Sequence, residues 1–202
     1  TPVVVQFDEP SLPTALGESC LPVNGLAVPM IFASSTRVNA QLPFQAEGNV
    51  TMVLKTPGGT SDNFNLTLVP GAPAIFRNGT SGDVNDLPTV IRAKNGEYVT
   101  MSNPIHRGDS ITIYLTGLGA TAPAVDAGTP APSDPKAATL VTPDVTLGGV
   151  GVPVTFSGLA AGQIGVYQID AKVPGWVPTG FTVPLVVNQS GGSTSLNVRV
   201  VE

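Results

Sequence analysis

The 202-residue chain carries one histidine, one cysteine and one tryptophan, and a search for chemistry starts from them. A hydrolytic triad needs a base held against its nucleophile. His106 sits in Asn103-Pro104-Ile105-His106-Arg107-Gly108, a turn ahead of a strand, and reads as a surface loop residue. The sequence has no Gly-x-Ser-x-Gly elbow and no Cys/His spacing suited to zinc. Gly117-Leu118-Gly119 lacks the strand-to-helix setting of a dinucleotide loop, so its glycines read as a tight turn. Asp126, Asp134 and Asp144 lie in or beside a proline-rich stretch. Paired carboxylates can cleave glycosides or ligate calcium, but no spacing here fits either, and solvated loop acids are the reading. No constellation specifies a reaction, no cofactor or metal is implied, and the chain reads as non-enzymatic.

Four other groups of residues bear on partners. Trp176 follows Pro174-Gly175 at a loop tip, where it either covers the open end of a sandwich or stacks on a sugar ring or a protein partner. Cys20 falls between Ser19 and Leu21, which share the inward register of Val23, so it is expected to point outward, free to meet another chain or partly covered. An internal disulfide is impossible with one cysteine. Asn-x-Ser/Thr triplets at Asn49, Asn65, Asn78 and Asn188 would accept sugars in a suitable host, although a chain rich in Thr and Asn also produces them by chance. Lys172, between Ala171 and Val173, is expected to face outward, which argues against an internal isopeptide bond.

Composition sets the background. Hydrophobic residues make up 42% and charged residues 11% of the chain, against about 25% charged in an average globular protein. A packed core is therefore expected under an uncharged polar surface. The net charge of −5 gives no basic footprint for nucleic acid. No apolar run reaches the roughly 18 residues of a membrane helix. No leader-like segment is present, so an exported protein would already have lost it.

The elements that must position these residues are strands. Val50, Met52 and Leu54 alternate with polar neighbours, as do Ile111, Ile113 and Leu115, Ile169, Ala171 and Val173, and Leu196, Val198 and Val200. Asn24-Gly25 and Asn95-Gly96 carry the chemistry of type I′ hairpin turns. No window keeps a helical period between caps. Short strands at regular spacing indicate an all-β chain of sandwiches.

A repeat organises the chain. Leu16, Gly17, Pro22, Val23, Ala40 and Pro43 recur as Leu147, Gly148, Pro153, Val154, Ala171 and Pro174, each displaced by 131 (147 − 16). Gly58-Gly59-Thr60 and Gly191-Gly192-Ser193 continue the match at 133 (191 − 58). The expected organisation is an extension over 1–15, a first sandwich unit over 16–70, a hairpin-containing connection over 71–109 and a second unit over 110–202. Val38, Ala40 and Leu42 are expected to be buried like Ile169, Ala171 and Val173. Residues 120–143, with their prolines, read as a long loop.

The run SNPIHRGDSITIYLTGLGATAPAVDAGTPAP, the paired LGG and VYQIDAKVP blocks and the GG(T/S) turns resemble a C-terminal module of secreted bacterial proteins, of the acidobacterial, Solibacter type. The resemblance spans about residues 12–201. It implies tandem Ig-like β-sandwich domains, an extracellular or cell-surface location and no assigned catalysis, and it supplies no functional residues.

The first unit also departs from the second. Nothing like ITIYLTGLG precedes Leu16; the chain offers only TPVVVQF there. An incomplete sandwich is a template for an incoming strand. Val3, Val5 and Phe7 are therefore expected to form an assembly strand, completing either their own unit or that of a neighbour. The second arrangement is head-to-tail and leads to filaments. The expected function is a structural surface or matrix module that self-associates or engages a cell-surface partner. The competing expectation is an adhesion module for glycan or protein.

Overall fold

The computed structural model describes residues 3–4, 11–44, 46–77 and 88–202. Among them the chain is all β, with no helix, and forms several sheets. It divides into two compact units. Unit 1 gathers 1–70, 120–137 and 161–165, and unit 2 gathers 71–119, 138–160 and 166–202.

Unit 1 holds β1 (Val3–Val4), β2 (Pro22–Val23), β3 (Leu26–Ala27), β4 (Met30–Ala33), β5 (Val38–Ala40), β6 (Gly48–Met52), β7 (Lys55–Thr56), β8 (Gly59–Thr60) and β9 (Phe64–Leu68). Their sheets run β1-β4-β5, β3-β2-β6-β9 and β7-β8. Asn24 and Gly25 turn β2 into β3 with φ of 49° and 84°, the left-handed pair a type I′ turn requires. Val23, Val28 and Val50 form a small buried cluster, with Leu21, Ala40, Leu42, Met52, Leu66 and Leu68 packed half-buried against it.

Unit 2 starts from β10 (Ala74–Ile75), β11 (Val90–Arg92), β12 (Ile105–His106) and β13 (Ser110–Thr116). After β14 (Thr121–Ala122), which belongs to unit 1, come β15 (Ala138–Thr139), β16 (Asp144–Leu147), β17 (Val150–Gly151), β18 (Val154–Leu159), β19 (Tyr167–Lys172), β20 (Gly180–Gln189) and β21 (Gly192–Val201). One sheet orders β10-β13-β19-β18-β15, with β11 also on β13; the other orders β12-β21-β20-β16-β17. Alternation buries Ile111, Ile113, Leu115, Ile169, Ala171 and Val173 on the first, and Leu147, Val183, Leu185, Val187, Leu196, Val198 and Val200 on the second. Two sheets, each with one apolar face, give unit 2 a sandwich-like architecture.

Three sequence expectations need adjustment. Residues 71–109 supply strands β10 to β13 lead-in and belong to unit 2, and 120–137 belong to unit 1. Asn95-Gly96 is not a type I′ turn: only Gly96 has positive φ, at 70°, and the Arg92 carbonyl accepts from both Asn95 and Gly96 N–H across a longer loop. Val38, Ala40 and Leu42 are half-buried, whereas Ile169, Ala171 and Val173 are buried. The neighbours of β5 explain that contrast.

Candidate functional site

The two copies of the repeat share local structure, although the offset of 131 is not kept throughout: Met30, and not Val23, stands opposite Ala40 where Val154 stands opposite Ala171. Leu16 bridges Ser19 over Gly17 and Glu18, with φ of 56° and 57°; Leu147 pairs with Val150 over Gly148 and Gly149, with φ of 60° and 80°. Both pairs of left-handed residues make a two-residue hairpin. In the first copy β4 meets β5 as Met30↔Ala40, Phe32↔Asn39 and Ala33↔Val38, with a bulge at Met30/Phe32. In the second, β18 meets β19 as Val154↔Ala171, Phe156↔Asp170 and Ser157↔Ile169, with the same bulge at Val154/Phe156. Gln41 N–H donates to the Pro29 carbonyl at 2.8 Å, and Lys172 N–H to that of Pro153 at 2.9 Å.

The copies part on the far side of that hairpin. β19 is covered by β13 over six registered pairs, from Ser110↔Lys172 to Leu115↔Tyr167. Val173 extends the cover, donating to the Asp109 carbonyl at 2.8 Å and accepting from Gly108 N–H at 3.1 Å. β5 ends its sheet, and its outer edge meets no strand among the described residues. The main chain of Leu42, the counterpart of Val173, has no hydrogen-bond partner there. An edge of unpaired N–H and C=O groups beside half-buried apolar side chains is a place for a further strand.

The N-terminal segment lies elsewhere in its own unit. Val3 and Val4 pair antiparallel with Ala33 and Phe32, on the side of β4 away from β5. Val5 and Phe7 lie outside the described residues.

Unit 2 carries a second candidate surface, which sequence reasoning missed. Along β20, Val183, Leu185 and Val187 point inward, and the same alternation would bury Phe181. The β20–β21 register slips between Gly180 and Val183, so Phe181 and Thr182 oppose Arg199 alone. This bulge turns Phe181 outward, leaving it 65% exposed. The Arg199 guanidinium stacks over its ring, 4.9 Å from the centroid, and Nη1 donates to the Met101 carbonyl at 2.5 Å. Met101 is 58% exposed, and Trp176, in the loop before β20, is 75% exposed rather than capping the unit. Arg199 has no carboxylate partner among the described residues. An unstacked alternation in sequence gave no sign of this; only the slip in register creates it.

The ionisable groups that do cluster hold structure together. Buried Arg92 donates through Nε to Asp109 Oδ2 at 2.7 Å and through Nη1 to Asn103 Oδ1 at 2.8 Å. His106 N–H donates to the same carboxylate oxygen at 2.8 Å. Burial pushes the Asp109 pKa up, but the Arg92 hydrogen bond and charge, with the His106 N–H, outweigh it and hold the carboxyl below its usual range. His106 itself lies half-buried in β12, its Nδ1 2.8 Å from the Glu202 carbonyl, and Arg107 pairs with the Glu202 carboxylate at 2.6 Å. Asp126, Asp134 and Asp144 are exposed, and no group of three His, Cys, Asp or Glu residues among the described ones is placed to hold a metal.

The remaining sequence candidates stand apart. Cys20 is half-buried, its main chain bonded both ways to Lys55 at 3.0 Å. Asn49 and Asn65 are exposed and face each other's sequon across β6–β9: Thr67 Oγ1 donates to Asn49 Oδ1 at 2.8 Å and Thr51 Oγ1 to Asn65 Oδ1 at 2.7 Å. Asn188 is exposed near the β20–β21 turn, and Asn78 lies outside the described residues. No described helix is long and apolar enough to cross a membrane.

The class that fold and surfaces define is an all-β, sandwich-like protein. Compared with known proteins, the chain matches no family, no curated protein and no solved structure.

Proposed function

We propose that this chain is a non-enzymatic structural module of the extracellular space or cell surface, built of two tandem Ig-like sandwich domains, which self-associates by exchange of its N-terminal strand. The observation that carries the reading is the outer edge of β5, which no strand covers among the described residues, where the matching strand of the second copy is covered by β13. A two-residue pairing holds Val3 and Val4 to β4. So short a pairing does little to keep the segment in its own unit and leaves it free for the β5 edge of a neighbour. Donor and acceptor surfaces differ, so the contact is head-to-tail and propagates. The low charge and polar, uncharged surface agree with an external location. Light scattering of the intact chain and of a variant lacking residues 1–7 tests this: the intact chain is expected to grow in mass with concentration and the variant to stay monomeric. Unchanged assembly after the deletion excludes strand exchange.

A second reading, an adhesion module for glycan or protein, is favoured by the bulge that exposes Phe181 against Arg199 in the unit that also exposes Trp176. Aromatic and Arg side chains dominate interface hot spots. On this reading Trp176→Ala removes a glycan-array or partner-binding signal that the parent shows, with no change in melting temperature.

A further inference from the structure

Resting on the strand-exchange reading, we infer that the docking site for the exchanged strand is the outer edge of β5, and that its occupant is Pro2–Phe7 of a second copy, antiparallel, with Val3 opposite Ala40 and Val5 opposite Val38.

Ala40, Asn39 and Val38 correspond to Ala171, Asp170 and Ile169 through their shared pairing across the bulged hairpin. In unit 2 those residues face Ile111, Thr112 and Ile113 of β13. A strand beside β5 must therefore present apolar side chains where β13 presents Ile111, Ile113 and Leu115, all buried. The N-terminal segment does so at a displacement of 108 (111 − 3): Val3, Val5 and Phe7 take those places, with Val4 and Gln6 at the outward places of Thr112 and Tyr114. Pro2 falls opposite Gln41, at the start of the strand, where a missing N–H is tolerated. Gln41 N–H is already committed to Pro29, on the other side of β5. Within one chain Val3 and Val4 lie on the opposite side of β4, and among the described residues no strand takes the β5 edge. The vacancy also accounts for the exposure of Val38, Ala40 and Leu42, which strand addition would cover.

Directed crosslinking separates this site from its alternatives. In the full chain with Cys20→Ser, the pair Val3→Cys and Ala40→Cys is placed across one register, at the roughly 4.5–5.5 Å Cα separation of facing strand residues, which a disulfide accepts. The expected result is a ladder of covalent oligomers on a non-reducing gel, lost on reduction and lost when either cysteine is absent. The companion pair Val3→Cys and Ala33→Cys reports the β1–β4 pairing of chains that have not exchanged and is expected to close within single chains at low concentration, before assembly. The inference is overturned if Val3→Cys and Ala40→Cys give only monomers. If Val3→Cys and Ala33→Cys instead crosslink between chains, strand exchange survives with β4 as acceptor and the β5 site falls. An intact chain that remains monomeric at high concentration overturns both.

Discussion

The strands β5 and β19 are the same piece of repeat in two settings. Each leaves a bulged hairpin, and each pairs its Ala, polar residue and β-branched residue with equivalent partners. Yet Ile169, Ala171 and Val173 are sealed, and Val38, Ala40 and Leu42 are half-open. The difference is one neighbouring strand, β13. Of the twelve largest fully buried side chains among the described residues, Met30 alone is in unit 1. Local sequence therefore specifies turn and register, while burial is decided by what lies across the sheet. A half-open core is also poorer in dispersion contacts than a closed one.

That contrast can be broken by placing the same insult in both copies. Val173→Asp buries an unpaired carboxylate and is expected to cost about 4 kcal/mol, with Leu42→Asp costing less than half of that because water reaches the site. Denaturant titration of both variants measures it. Equal losses would mean that β5 is as enclosed as β19, and the comparison would fail.

A smaller effect sharpens the comparison at the first turn. Gly148 and Gly149 both have left-handed φ, but a Cβ at Gly148 would lie 2.1 Å from Pro178 Cγ, while one at Gly149 meets nothing within 4 Å. Gly149→Ala is expected to cost about 1 kcal/mol for the backbone alone, and Gly148→Ala about 2–3 kcal/mol. The first copy already places a non-glycine, Glu18, at the position of Gly149, with φ 57°. Thermal melts of the two alanine variants check the order.

The smallest effect is a difference in acid response. Asp109 sits at the entrance to β13, the strand with no counterpart among the described residues of unit 1. Its folded pKa lies below the unfolded value of 3.8. The stabilisation it brings is thus present above the unfolded pKa and is lost as pH falls through the folded pKa. Stability followed by circular dichroism is expected to fall in that acid window for the parent, and to respond less in Asp109→Asn, which is less stable at neutral pH.

Much of this is legible in the sequence. Alternation at Ile111, Ile113 and Leu115 and at Ile169, Ala171 and Val173 is strong because each strand has one buried face. Asn24-Gly25 fixed its turn through two left-handed residues. The Asn95-Gly96 signal misled because the hairpin closes between Arg92 N–H and the Glu97 carbonyl, over four residues rather than over Asn95 and Gly96 alone. Phe181 was illegible: period-two reading puts it inside, and a one-residue slip against β21 puts it outside. The membership of 120–137 in unit 1 was equally hidden, since it rests on pairings such as Leu12 N–H to the Gly128 carbonyl at 2.7 Å, far apart in sequence.

Those distant pairings also set an order of events. Gly128 N–H donates to Gln41 Oε1 at 2.8 Å, Ala131 N–H to the Gln163 carbonyl at 2.9 Å, and Gly162 N–H to the Ala131 carbonyl at 2.8 Å. Unit 1 is therefore not finished when residue 70 leaves the ribosome; it waits for residue 165. Closing such long loops before any contact rewards them slows folding. The earliest part of the chain therefore stays unfinished through most of synthesis, and a fragment ending at Pro70 would lack the segments that hold Leu12 and Gln41 in place.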